Sequence, residues 1–194
     1  MSCRWMQIVT FSLILSSKMD QDTLERLLKS DLLISSSYAG CYFRDTLPEL
    51  EDDKVYLINT CFSSSEIGEH WCACDLRFPK KVLWLCSYNT RPRSFSLIWQ
   101  RIKATNRTIC CFDQRLQAPQ LSNCSIFVCF FLYMTSRGIG PKAMAKYFFR
   151  EKDLYKISLW VTEVTRVLFN IKASTESLLY DPIFVAEQEA LVDG

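Results

Sequence analysis

Residues 125–134, SIFVCFFLYM, carry almost no polar relief on any side of the helix they would form. A helix apolar all round has to be covered from several directions, so it sits at the centre of its fold. The polar segment before it, QAPQLSN at 117–123, contains Pro119 and offers Asn123 or Ser122 as a cap for its start. The junction between loop and buried helix falls on Cys124, one of ten cysteines.

The covering layers can be read from the rest of the chain. KVYLINT (54–60), EHWCACDL (69–76) and KVLWLCSYN (81–89) are rich in β-branched and aromatic residues and read as strands. The short link RFPK (77–80) makes the second and third an antiparallel hairpin. TICCFDQ (108–114) reads as a further short strand, and RSFSLIWQRIKA (93–104) has Phe95, Ile98, Trp99 and Ile102 at helical spacing. At the start, MDQDTLERLLKSD reads as an amphipathic helix capped by Asp22, with Glu25 completing a capping box. The stretch 35–53 reads mainly as loop, with Gly40 and Pro48. GPKAMAKYFF and KISLWVTEVTRVLFNI read as two final helices. The expected class is α+β: a small mixed or antiparallel sheet packed on the central helix, with further helices at both ends.

A length of 194 residues, 49% of them hydrophobic, suits one domain with a real core and is too short for two. The expected boundaries are an N-terminal extension at 1–18, one domain at 19–180 and an acidic, loosely held tail at 181–194. The opening run resembles a weak signal peptide, but Met19 begins a more conventional chain. The run is too short to span a bilayer, and no membrane partner is expected. A formal charge of +2 does not by itself argue for a nucleic-acid partner.

Ten irregularly spaced cysteines in a chain of this size fit free thiols in a reducing interior better than a disulfide scaffold. The sequons at Asn106 and Asn123 then carry no meaning. Cys72-Ala73-Cys74 and Cys110-Cys111 are not the paired CxxC knuckles of a zinc site, and His70 is the one histidine. No metal is expected.

A cysteine in the first turn of a helix meets the positive end of the helix dipole and free N–H groups, which favour the nucleophilic thiolate. It also needs a base, and His70 is available in a strand. The segments EHWCACDL and QAPQLSNCSIFVCFFLYM together resemble the adenovirus endopeptidase (adenain) family of cysteine peptidases, relatives of the ubiquitin-like-protein peptidases. The resemblance lies in His70-Trp71 within a strand and in Gln117-Ala118-Pro119 leading to Cys124. LINTCFSSSEIGEHW and the opening MDQDTLERLLKSD…GCYF are similar to the family as well. The likeness covers roughly 19–138.

The resemblance implies a papain-like arrangement in which Cys124 is the nucleophile and His70 the general acid–base. Gln117 would give its side-chain N–H to the oxyanion, beside the backbone N–H of Cys124, and Trp71 would shield the imidazole. The family's acid that orients the histidine is missing. Ungapped counting lands on Ser87, and Cys86 comes next if the intervening loop is shorter. Asn89 faces the same way as Ser87 if the strand continues, and its amide oxygen can accept from imidazole, so Asn89 is preferred. By the same resemblance the protein is a viral endopeptidase that cuts capsid and core precursors beside glycine, in the virion and the host nucleus. It would be a monomer, activated by a viral peptide that can be disulfide-linked near Cys110 or Cys111, and by DNA. Lys80, Lys81, Arg91, Arg93, Arg101, Lys103 and Arg107 would make the basic surface. The alternatives are a peptidase for ubiquitin or a ubiquitin-like protein, and a catalytically weak or inactive peptidase-like fold that only binds partners.

Overall fold

The computed structural model describes residues 19–65, 70–148 and 151–171. The expected N-terminal extension and acidic tail lie outside these residues.

Helix α1 (Gln21–Ser30) buries Leu24 and Leu28 on one face. Its cap is Asp20 and not Asp22: the Asp20 carboxylate accepts from Thr23 N–H at 2.7 Å. The expected capping box fails because Asp22 already lies in the first turn; Glu25 accepts instead along the helix from Lys29 at 2.7 Å and Gln21 at 3.1 Å. A short helix, α2 (Leu32–Ser35), follows, capped by Asp31.

Five strands form one mixed sheet in chain order: β1 (Tyr38–Phe43), β2 (Val55–Asn59), β3 (Trp71–Asp75), β4 (Lys81–Leu85) and β5 (Thr108–Cys111). The outer pairs β1/β2 and β4/β5 are parallel, and the inner pairs are antiparallel, including the hairpin expected from RFPK. Strand β1 lies inside the stretch expected to be loop. All six of its residues are half-buried, and a bulge at Gly40, whose φ of +141° suits only glycine, breaks its register.

Alternation along β2, β3 and β4 sends side chains to two cores. Leu57, Ala73, Leu83 and Leu85 meet the central helix α4 (Cys124–Ser136). Tyr56, Ile58, Cys72, Cys74 and Trp84 face the other way and meet Ile98 and Ile102 of α3 (Ser96–Ala104). Helix α4 is buried from Cys124 through Leu132, as its sequence demands. Phe127, Phe130 and Phe131 alone contribute about 1.5–3 kcal/mol each through removal from water. Helices α5 (Pro141–Phe148) and α6 (Leu154–Leu168) complete the cover, and α6 packs along α4. Among the described residues, no helix is long and apolar enough to cross a membrane.

Candidate active site

Cys124 is the first residue of α4 and is 7% exposed. Asn123 occupies the capping position, but its side chain makes no cap bond and donates instead to Thr162 of α6 at 3.1 Å. The opening turn of α4 therefore has no side-chain cap competing for its N–H groups. The Cys124 sulfur lies 3.5 Å from the backbone nitrogen of Trp71, the first residue of β3. His70 immediately precedes that residue, so one strand end carries the histidine and touches the cysteine.

The imidazole Nε2 sits 3.3 Å from the sulfur of Cys86, just past β4. Burial lowers the affinity of this ring for a proton, but Cys124 and then Cys86 outweigh it and raise the His70 pKa to about 9. Cys86 moves the opposite way: a hydrogen bond from Cys72 holds its thiol down to about 4, burial opposes this, and the positive imidazole assists. The opposite shifts favour a thiolate at Cys86 against a charged imidazole, in the place where a carboxylate was sought.

The expected Asn89 does not take this position. Strand β4 ends at Leu85, and the chain turns at once, with Asn89 N–H donating to Cys86 O at 3.2 Å. Asn89 adopts a left-handed φ of 59°, so strand geometry has already ended before it, and the residue on the side of His70 is Cys86, two past Trp84 in the same core. Its amide oxygen is buried with no hydrogen-bond partner among the described residues. Ser87 turns to Gln117, donating to Oε1 at 2.6 Å.

Gln117 is fully buried and held from every side. Its amide nitrogen donates to Tyr88 OH at 3.1 Å and to Leu121 O. Both amide hydrogens are thereby taken within the protein, so in this conformation Gln117 offers no spare donor to an oxyanion. Trp71 was expected to shield the imidazole, but Tyr88 is the ring stacked on it, with centroids 4.5 Å apart and planes inclined by 19°. Arg115 lies over the other ring contact of this column, 4.4 Å from the Tyr88 centroid. The signal for Tyr88 was its place in the same SYN segment searched for an orienting residue.

All nine described cysteines are free thiols. Cys110 and Cys111 are half-buried on the edge strand β5. Cys129, one turn into α4, is wholly buried, and burial pushes its thiol well up. The basic 80–107 region is partly spent internally. Arg107 pairs with Asp52 and donates to Leu76 O at 2.8 Å, Arg101 donates to Leu47 O at 3.1 Å, and Arg93 lies over Trp99.

No family model and no curated protein matches the chain. Among solved structures, it is similar to a Chaetomium thermophilum Ulp1-like SUMO protease catalytic domain at 18% identity and a TM-score of 0.36. The match covers 64% of this chain and 49% of that one, so the chain spans about half the length of that structure. A likeness this weak carries no functional weight.

Proposed function

We propose that the protein is a cysteine endopeptidase of the adenovirus type, with Cys124 as nucleophile and His70 as acid–base, that cuts virion precursor proteins beside glycine. The observation that carries this reading is a cysteine opening a buried helix against the strand end that bears the histidine. Cys124 Sγ attacks the scissile carbonyl, His70 passes a proton to the leaving amine, and water deprotonated by the imidazole then hydrolyses the thioester. The backbone N–H of Cys124 points with the first turn of α4 toward the forming oxyanion. Cys86 holds Nε2 and balances the positive ring, the work an acid does elsewhere.

One observation favours the second reading, a peptidase-like fold with weak or no activity: the Gln117 amide is committed inward. Loss of one oxyanion donor costs about 10²–10³ in turnover, so activity would require that amide to swing free, as an activating partner could arrange. A thiol-directed electrophile on a Gly-Gly leader, mapped by mass spectrometry, separates the two. The endopeptidase reading expects rapid labelling of Cys124 that vanishes in Cys124→Ala. Labelling no faster than that of an exposed model thiol would leave the binding-only fold standing. Glycine-containing peptides compared with ubiquitin-like fusions then distinguish precursor maturation from removal of a ubiquitin-like protein.

A further inference from the structure

Cys72 and Cys86 stand opposite one another across the β3/β4 hairpin. The register pairs Ala73 with Leu85 and Cys74 with Trp84, so its next step outward pairs Cys72 with Cys86. Side chains opposite each other in an antiparallel pair leave the sheet on the same side. His70, two residues before Cys72, shares that side and reaches the Cys86 sulfur. The ligand-type atoms of His70, Cys72 and Cys86 all lie within 4.8 Å of one another, and all three residues are buried. Cys72 and Cys86 share their core with apolar Ile58 and Trp84.

We propose that His70, Cys72 and Cys86 form a binding site for a thiophilic divalent cation, with Zn²⁺ as its ligand, and that the bound ion silences the active centre by occupying the imidazole. One nitrogen and two sulfurs are a donor set that zinc takes in tetrahedral sites, with Zn–S near 2.3 Å and Zn–N near 2.0–2.1 Å. Ligands arranged around such an ion lie about 3–4 Å apart, so the cluster needs only a small inward adjustment to close on it. Binding displaces the Cys72 thiol proton to solvent, and the two thiolates then cancel the charge of the buried ion. Three ligands leave a fourth position open, as in zinc sites that exchange a bound molecule. The signature is invisible to a search for CxxC pairs because it is His-x-Cys on one strand and a lone Cys facing it from the next.

The silencing half of this inference rests on the peptidase reading, whereas the binding half does not. Binding is tested on the full chain by competing Zn²⁺ against a chromogenic chelator, and by following the imidazole nitrogens in NMR. Since the chain has one histidine, those signals report one residue. The expected result is one tight equivalent that moves the Nε2 signal, together with thiolate-to-metal absorption when Co²⁺ replaces zinc. Cys72→Ala and Cys86→Ala should each weaken affinity at least about 100-fold, more than the loss of an outer contact does. Cys74→Ala, equally buried two residues along β3, should not. His70→Asn, at the rim of the core, supplies a ligand deletion that spares the strands should either cysteine variant fail to fold. Zinc binding that survives all three ligand deletions, or that leaves the imidazole signals unmoved, overturns the site. Tight zinc binding without any slowing of Cys124 labelling overturns only the silencing. A metal-free chain whose Cys124 never labels rapidly refutes the peptidase reading and leaves the site intact.

Discussion

Replacing Cys86 with alanine removes the sulfur that the imidazole Nε2 touches and leaves Cys124 in place. The His70 pKa stands at about 9 against an ordinary 6.5, a net gain for the charged ring of about 3 kcal/mol. Burial works against that gain, so the two sulfurs together supply more than the net figure. A hydrogen bond to a charged group contributes about 1.5–3 kcal/mol, and about 1.4 kcal/mol moves a pKa by one. Cys86→Ala should therefore lower the His70 midpoint by about one to two pH units. The assay is a proton NMR titration of the one imidazole in a chelating buffer, compared with Cys74→Ala as a control. A wild-type midpoint near the ordinary 6.5 would refute the charged pair, as would a Cys86→Ala midpoint equal to the wild type.

The same pair fixes how stability depends on pH. His70 is raised from 6.5 to about 9, so its contribution is complete below 6.5 and fades as pH rises through about 9. Cys86 is lowered from 9.0 to about 4, so its contribution is complete above 9.0 and fades as pH falls through about 4. The two slopes cancel between pH 6.5 and 9, so the pair should leave the melting temperature level there and lower it from 6.5 downward; Cys86→Ala should remove the acid-side fall that the pair causes. Asp75→Ala should cost about 3–5 kcal/mol in urea unfolding, because it strips the buried carboxylate from Arg77, which also holds Thr135 of α4. Asp20→Ala should cost about 1 kcal/mol as a lost helix cap, whereas Asp22→Ala should cost little, a pair measured by chemical denaturation.

The central helix was legible because a run with no polar face has one stable location, and the hairpin was legible because β-branched runs flank a short link. Strand β1 was not: its residues are half-buried on both faces and interrupted at Gly40, so neither alternation nor a continuous apolar run marks them. In the site, Cys124 and His70 were readable as residue types suited to their elements. Among the three residues open for the partner of His70, the preference for Asn89 assumed that β4 ran on to it; Cys86, the alternative for a shorter link, is the one against the ring. Ser87 and Asn89 are turn-forming types: the β3/β4 register puts Cys86 on the side of the ring, and the turn that follows sends Ser87 to Gln117. The inward commitment of Gln117 depends on Leu121 and Tyr88 from two loops, a tertiary fact no local pattern encodes.

Strand β3 is fastened to α4 at both of its ends, through Trp71 and Cys124 at one and through Asp75, Arg77 and Thr135 at the other. Five strand residues span about 17 Å and thirteen helical residues about 20 Å, so these fastenings lie almost a full element length apart. A bar pinned at two distant points can neither pivot nor slide without breaking a pin. Histidine and cysteine sit at the joined ends of these two elements, His70 just before β3 and Cys124 opening α4. The groups around this pair, Cys86, Tyr88 and Gln117, come instead from the loops at 86–89 and 117–121. Under the peptidase reading, switching the centre means rearranging what surrounds this pair, and slow exchange of those loops, seen as relaxation dispersion at Tyr88 and Gln117 with none at Trp71, is where control would become visible.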